Sequence, residues 1–178
     1  PRNTLGWRYS KYVVFMGSDV KANVEAARWI IDALAIKMPE VCFLIMGSVG
    51  KALSARDNVK ILGVLPANEK NLMLAMSDIA INPVSFGAGT NVKMLEYLSA
   101  GLPIVTTEIG ARGLGLTDGY NAIISDPSHF EKHVADILDN YSLSQQLARN
   151  ARTEALKFDW REIQRSINKR LGLQKHAL

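Results

Sequence analysis

The amino-acid sequence predicts an α/β fold: a single Rossmann-like domain whose parallel sheet carries helices on both faces. Short apolar runs that end at a glycine or a turn alternate with helix-like segments along the whole chain, which is the pattern of repeated βα units. The length of 178 residues fits one domain. A hydrophobic content of 48% and a mean hydropathy of +0.02 indicate a soluble globular protein with a substantial core.

The first βα unit shows both periodicities. Residues 12–16 form a β-rich run that ends at Gly17. The helix predicted at about 23–38 places an apolar side chain every three to four residues on one stripe, formed by Val24, Ala27, Ile31, Leu34 and Met38. Pro39 ends this helix because proline cannot continue the hydrogen-bond ladder.

The later elements follow the same alternation. The second strand, 41–46, is entirely apolar, which is typical of a strand buried on both faces. Further strands are predicted at 59–61, 78–81, 104–107 and 122–125. Further helices are predicted at 68–76, in a short segment after residue 90, and at 130–138, 143–156 and 161–171.

Four loops are predicted at one edge of the sheet. Gly17-Ser18 follows the first strand, Gly47-Ser48 the second, Gly63-Val64-Leu65 the third, and residues 85–90 the fourth. In doubly wound sheets ligands bind outside the carboxyl ends of the strands, near a reversal in strand order. The sequence therefore predicts a ligand cleft at this edge.

The loop after the fourth strand is the most informative segment. Gly87 and Gly89 lie just before a helix, whose first backbone N–H groups are free to bind an anion. Lys93 and Glu96 lie three residues apart on one helix face. A cation for phosphates and a carboxylate for ribose hydroxyls suit a nucleoside diphosphate. From the spacing alone, Gly87 and Gly89 could equally be ordinary turn residues, and Lys93 and Glu96 a solvated ion pair. The dinucleotide-binding pattern G-x-G-x-x-G is not met, because Val92 stands at the position of the third glycine.

The order of residues in this segment favours a nucleotide-binding site over ordinary turn and surface residues. It runs Gly87-Ala88-Gly89-Thr90, Lys93, Glu96-Tyr97, Ala100-Gly101-Leu102-Pro103 and Val105-Thr106-Thr107. This order resembles the donor-site signature of GT-B glycosyltransferases, and within them the retaining group 1 family (family four), whose members build bacterial cell-surface polysaccharides. Outside the segment the resemblance continues through Phe15-Met16-Gly17-Ser18, Asn23-Val24-Glu25-Ala26-Ala27-Arg28-Trp29, Gly110-Ala111-Arg112-Gly113-Leu114, Gly119-Tyr120-Asn121-Ala122 and Phe158-Asp159-Trp160.

The resemblance covers roughly residues 12–171, and it implies the C-terminal, donor-binding half of a GT-B enzyme. The full enzyme would transfer a sugar from a nucleotide-diphosphate sugar to a glycan or lipid-linked acceptor. An N-terminal acceptor domain, absent from this chain, would hold the acceptor. No cofactor and no obligatory metal are expected. The sequence begins without an initiator Met, which also suggests an excised part of a longer protein.

The resemblance implies a donor-binding role for thirteen residues and leaves the catalytic residue unassigned. Gly17, Ser18 and Lys21 would contact phosphate, Gly47 would allow close approach of the nucleotide, and the backbone of Val64 and Leu65 would bind the base. The phosphate loop, its helix N-terminus and the ribose acceptor complete the set: Gly87, Gly89, Thr90, Asn91, Val92, Lys93 and Glu96. For the first loop, a plain turn with Asn23 as N-cap stays open.

One position departs from the family pattern. Members of the family usually carry two glutamates. The later one corresponds to Glu96, and the earlier one lies eight positions before it, close to the transferred sugar. This chain has Ala88 at the earlier position. No acidic role can be assigned to this residue, so the way the donor sugar is held stays open.

Charge and cysteine content limit the other classes. The net charge of +4 comes from scattered basic residues without a nucleic-acid motif, so no nucleic-acid partner is expected. The most basic segment, carrying Arg161, Arg165, Lys169, Arg170 and Lys175, is either a solvated face or a contact with the inner face of a membrane. The single cysteine, Cys42, and the lack of a signal peptide predict a cytoplasmic protein.

Two alternatives remain from other functional classes. One is a non-catalytic Rossmann-like module that binds a nucleotide as a sensor or scaffold. The other is a sugar-nucleotide epimerase of GT-B architecture. The epimerase is disfavoured because no loop here carries a comparable set of acidic and histidine residues. His129 and His133 lie one helical turn apart but have no third ligand, so no metal site is expected.

Overall fold

The computed structural model describes residues 8–171 and confirms the predicted fold class. The strands are β1 (Lys11–Met16), β2 (Val41–Met46), β3 (Val59–Gly63), β4 (Ile79–Asn82), β5 (Ile104–Thr106) and β6 (Ile123–Ile124). They form one sheet in the order β3-β2-β1-β4-β5-β6, with every neighbouring pair parallel. The strand order therefore reverses between β1 and β4, where the topological switch point lies.

The predicted first helix consists of three segments. Helix α1 (Lys21–Trp29) continues through a π-helical turn (Ile30–Leu34) into α2 (Ala35–Lys37). The other helices are α3 (Ala67–Met76), α4 (Lys93–Ala100), α5 (Glu108–Ala111), α6 (Phe130–Asp139), α7 (Tyr141–Leu156) and α8 (Trp160–Arg170). The structure thus contains every predicted strand and helix, with ends that differ by a few residues.

Three short helical elements have no counterpart among the elements predicted from the sequence. Helix α5 has four residues, and Thr107 caps it by accepting a hydrogen bond from the Gly110 N–H. A 3-10 turn at Pro127–His129 is capped in the same way by Asp126, and a second 3-10 turn occupies Ser48–Ala52. Elements this short show no periodicity. Capping chemistry is a sequence signal for the first two, whereas the turn at Ser48–Ala52 has no side-chain cap.

The basic segment near the carboxyl end is only partly described. Helix α8 is exposed and carries Arg161, Arg165, Lys169 and Arg170, whereas Lys175 lies outside the described residues. Within residues 8–171 no helix has the length and apolar character needed to cross a membrane.

The core lies in two layers, one on each face of the sheet. Along β1, Val13 and Phe15 pack in one layer with α1 and α6. Tyr12, Val14 and Met16 pack in the other layer with α3 and α4. Alternate side chains of a strand point to opposite faces, so a strand covered on both sides must be apolar throughout.

Three strand ends meet through their backbones. Met16 and Met46, the last residues of strands β1 and β2, are paired with each other. Gly17 and Gly47, which follow them, therefore lie side by side at the edge of the sheet. The Gly17 N–H donates to the Met46 carbonyl (2.9 Å), and the Gly47 N–H donates to the Gly63 carbonyl (2.6 Å). Gly47 has a φ of 102°, and a Cβ there would lie 2.1 Å from the Gly17 carbonyl oxygen. Only glycine fits this contact.

Strands β1 and β4 separate at the switch point. Their ladder pairs only Val13 with Ile79 and Val14 with Ala80, although each strand continues for two more residues. The N–H of Met16 donates instead to the hydroxyl of Tyr97 on α4, at 2.6 Å. A side chain therefore satisfies a backbone donor that the ladder leaves unpaired, and the gap between the strands opens a crevice.

We expect Gly47→Ala to lower the free energy of unfolding by about 3 kcal/mol or more, because the substitution combines a left-handed φ with backbone overlap. Gly63→Ala is the matched control: its φ is +65°, but the added Cβ meets nothing within 4 Å. That control should cost only about 1–2 kcal/mol. Urea denaturation of both variants measures the difference, and equal losses would contradict the proposed backbone contact.

Candidate functional site

A cavity of about 840 Å³ lies at the carboxyl edge of the sheet, over the switch point. The loops after β1, β2, β3 and β4 and the first turn of α4 line it, as the sequence predicted for a ligand cleft. Its volume is that of a typical small-molecule site.

Of the thirteen predicted donor-binding residues, twelve line this cavity: Gly17, Ser18, Lys21, Gly47, Val64, Leu65, Gly87, Thr90, Asn91, Val92, Lys93 and Glu96. Gly89 is not among the lining residues, although both of its neighbours are. It has a φ of 80°, and a Cβ there would meet no atom within 4 Å. Gly89 thus shapes the loop through its backbone, and the assigned contacts with a ligand stay predictions.

Lys93 is the central side chain of the cavity. Its ammonium group donates to Asn23 Oδ1 (2.6 Å) and to Asn82 Oδ1 (3.3 Å), and it lies 4.5 Å from the centroid of the Phe15 ring. These three partners come from α1, β4 and β1, the elements around the switch point. Burial lowers the pKa of Lys93 to about 7, because a charged group loses hydration when it leaves water.

The groups around Lys93 are polar but uncharged. Within residues 8–171 no carboxylate forms an ion pair with this ammonium group. The Asn82 amide is oriented with its oxygen toward Lys93, and its Nδ2 has no acceptor in the described chain. A partly buried cation held by neutral oxygens is stabilised by an incoming anion, since the anion supplies the missing opposite charge.

The start of α4 offers a second anion-binding group beside Lys93. The helix begins at Lys93, and Val92 before it already has helical dihedral angles. In the described chain no acceptor binds the backbone N–H groups of Asn91, Val92 or Lys93. Free N–H groups and the positive end of the helix dipole both attract anions.

Glu96 faces the cavity one turn further along α4 and forms an ion pair with Lys70 of α3. The two side chains are 37% and 31% exposed, respectively, so solvent screens the pair only in part. Lys70 holds Oε2, and Oε1 has no partner among residues 8–171. The carboxylate is therefore oriented and keeps one oxygen available as an acceptor.

Several residues at this site have roles that the sequence does not predict. Asn23 is not an N-cap: it lies inside α1, where its Nδ2 donates to the Ser18 carbonyl (3.0 Å). Asn82 binds Lys93 and Lys70 pairs with Glu96. The sequence gives no signal for either contact, because the partners are distant along the chain. Tyr97 is fully buried, and burial raises the pKa of its phenol, so it stays a neutral acceptor for the Met16 N–H.

Two further observations concern reactive side chains. Cys42 is buried in β2, and burial raises the pKa of its thiol to about 11, as expected of a cysteine in the core. The described residues hold no group of three or more His, Cys, Asp or Glu side chains placed to bind a metal ion.

Sequence comparison identifies the family. Residues 10–140 match the family described as glycosyl transferases group 1. The chain belongs to this family. A 44.6 kDa protein in the cps region of Klebsiella pneumoniae is 27% identical over 168 residues, a match that spans 82% of this chain and 43% of the relative. The group 1 chain thus spans less than half the length of this curated relative.

Solved structures share the fold. Anabaena HepE in complex with UDP and glucose superposes with a TM-score of 0.77 at 19% identity, covering 97% of this chain and 51% of HepE. The C-terminal domain of LpcC, a glycosyl transferase group 1 family protein from Francisella tularensis, superposes with a TM-score of 0.70 at 14% identity. That match covers 87% of this chain and 89% of the LpcC domain. At these identities the likeness shows the shared GT-B Rossmann-like fold.

The depressed pKa of Lys93 predicts how the stability of this group 1 domain depends on pH. The folded-state pKa is about 7, against an ordinary value of 10.5. Between these values the unfolded chain binds a proton that the folded chain lacks, so stability rises with pH. The destabilisation caused by the charge on Lys93 is absent above about pH 10.5 and reaches its full size as the pH falls to about 7.

We expect the free energy of unfolding of the wild-type domain to rise, relative to that of Lys93→Met, by up to about 1.4 kcal/mol per pH unit within this window. Urea denaturation at pH 7, 8 and 9 measures it. Lys51→Met removes an exposed lysine outside the cavity and should keep the wild-type slope. Parallel curves for wild type and Lys93→Met would show that Lys93 titrates normally.

Proposed function

We propose that this chain is the donor-binding C-terminal domain of a glycosyltransferase that acts in surface polysaccharide biosynthesis. The whole protein transfers a sugar from a nucleotide-diphosphate sugar to a glycan or lipid-linked acceptor. One observation carries the proposal: a partly buried lysine without a carboxylate partner lies beside the free N–H groups of α4 in the cavity at the switch point. Family membership favours this function over the two alternatives, a non-catalytic nucleotide-binding module and an epimerase.

Lys93 and the α4 N-terminus would bind the diphosphate. Breaking the anomeric C–O bond builds negative charge on the leaving diphosphate, and groups already oriented toward that charge lower the barrier. Binding would also restore the proton on Lys93, since a phosphate beside the ammonium group raises the lysine pKa. This charge compensation supports a reaction without an obligatory metal, and the retaining stereochemistry is proposed from the family resemblance.

Glu96 would accept hydrogen bonds from the ribose hydroxyls. Its free Oε1 and its place one turn beyond Lys93 suit a ribose attached to a diphosphate at the start of α4. The backbone of Val64 and Leu65, across the cavity, would bind the base. HepE was solved with UDP and glucose, and a donor of this class fits the volume of the present cavity.

The acceptor is proposed to bind on a second, N-terminal domain. The matches with the first curated relatives span 43%, 33% and 21% of those proteins, so a whole protein has room for one. Helix α8 supports such a partner, because its apolar stripe is uncovered within the described chain: Trp160, Ile167 and Leu171 are 82%, 49% and 65% exposed. A cytoplasmic location, with the basic side of α8 near the inner face of the membrane, belongs to the same proposal.

The first test is nucleotide binding by this chain. Isothermal titration with UDP, GDP, ADP and CMP should identify one preferred nucleotide. Glu96→Ala should then weaken binding by about 1.5–3 kcal/mol, the range for a hydrogen bond to a charged group. Lys70→Met is the matched control, because it removes the ion pair and keeps the carboxylate, so it should weaken binding less. Unchanged affinity in Glu96→Ala, for nucleoside and nucleotide alike, would refute the ribose assignment.

The second test is turnover by the chain alone. We expect it to bind a nucleotide sugar weakly and to transfer nothing, because the acceptor wall of the cleft is missing. Orientation of the reactants alone can supply ~7–11 kcal/mol of barrier reduction. Transfer from radiolabelled nucleotide sugars to lipid extracts is compared for this chain and for the full-length protein. Equal rates for the two would mean that the two-domain proposal is wrong.

A further inference from the structure

One cationic side chain of the cavity has neither a carboxylate partner nor a part of the ligand assigned to it. Its lining holds four cationic side chains and one carboxylate: Lys21, Lys70, Lys93, Arg112 and Glu96. Lys70 is neutralised by Glu96. Lys21 lies at the rim, 3.9 Å from Glu25. In a nucleotide sugar with an uncharged sugar, the negative charges lie on the two phosphate groups, where Lys93 and the α4 N-terminus would balance them.

Arg112 is the remaining cation. It follows α5 and extends toward the glycine loop, where its Nη2 donates to the Gly87 carbonyl at 2.8 Å. Within residues 8–171 no carboxylate pairs with it. A guanidinium group has five N–H donors in a planar fork, so one bond to a carbonyl leaves most of its hydrogen-bonding capacity unused.

The loop beside Arg112 carries no acid. Residues 83–92 contain no Asp or Glu, and Ala88, the neighbour of Gly87, lines the cavity with a methyl group. A carboxylate at this position would repel an anionic ligand and would compete for the guanidinium. Its absence leaves the exposed guanidinium of Arg112 as the charged group beside Ala88 in the cavity.

We propose that Arg112 recognises a carboxylate on the donor sugar, so the substrate class is a nucleoside-diphosphate uronic acid or a similar acidic sugar nucleotide. The inference rests on the proposed function and adds the chemical class of the transferred sugar. A planar carboxylate matches the guanidinium fork and can form two parallel charge-assisted hydrogen bonds. The bond to Gly87 keeps the guanidinium beside the loop before the donor arrives, which reduces the entropic cost of recognition.

The test compares sugar nucleotides that differ only in the carboxylate. Isothermal titration of this chain is run with UDP-glucose against UDP-glucuronate and with GDP-mannose against GDP-mannuronate. In the pair whose base the domain accepts, the acidic sugar nucleotide should bind about tenfold or more tightly, as one charged hydrogen-bonded pair allows. Because the isolated chain lacks an acceptor domain, the preference measured belongs to the donor.

Two variants assign the preference to Arg112. Arg112→Gln should remove most of the difference between the acidic and the neutral donor. Ala88→Glu should weaken the acidic donor more than the neutral one. Arg28→Gln, which removes an exposed arginine of α1 outside the cavity lining, is the control for net charge and should preserve the preference.

The outcomes separate the two proposals. Equal binding of the acidic and neutral donors by the wild type would overturn the Arg112 inference and leave the proposed function intact. Equal weakening of both donors by Arg112→Gln would also overturn it, because Arg112 would then act on a part that the two donors share or only hold the glycine loop. Failure of all four sugar nucleotides, and of UDP, GDP, ADP and CMP in the titration above, to bind would overturn the proposed function together with this inference.

Discussion

A partly buried ammonium group held by uncharged oxygens is the interaction on which the site depends. Lys93 is surrounded by two asparagine oxygens and an aromatic face, and burying a charge without a counter-ion costs stability. The domain tolerates this cost because its sheet divides at the point where Lys93 lies, so amides from α1 and β4 can reach it. The same arrangement that weakens the protonated free domain prepares it for an anion.

The general plan of the molecule could be predicted from the sequence because it is encoded locally. Short apolar runs that end at a glycine or a turn identified all six strands, and the 3.6-residue stripe identified the first helix, including the portion that forms a π-helical turn. The cleft could also be predicted, since parallel strands bring the loops after their carboxyl ends to one edge. Gly17 and Gly47 needed the three-dimensional structure: their contact depends on the register between β1 and β2.

What the sequence did not reveal are pairings between residues far apart in the chain. Lys70 with Glu96 joins two helices, and Arg112 with Gly87 joins a helix end to a loop. Neither pair has a fixed sequence spacing, so pattern analysis has no signal for it. Ala88 was noticed as a departure from the family pattern, but its meaning depended on the position of Arg112. The three short elements, two of them capped by a side chain, were missed for the opposite reason, because they are too short to show periodicity.

The hydrogen bond from the Met16 N–H to the Tyr97 hydroxyl ties the geometry of the cavity to the sheet. Lys93 and Glu96 of α4 line the cavity, and Tyr97, the next residue, anchors the same helix to β1. A shift or rotation of α4 would therefore move both charged groups and leave the Met16 N–H without its acceptor. Substitutions in the segments after β3 or around α5 leave this anchor in place, so they can change the lining of the cavity without moving Lys93 and Glu96.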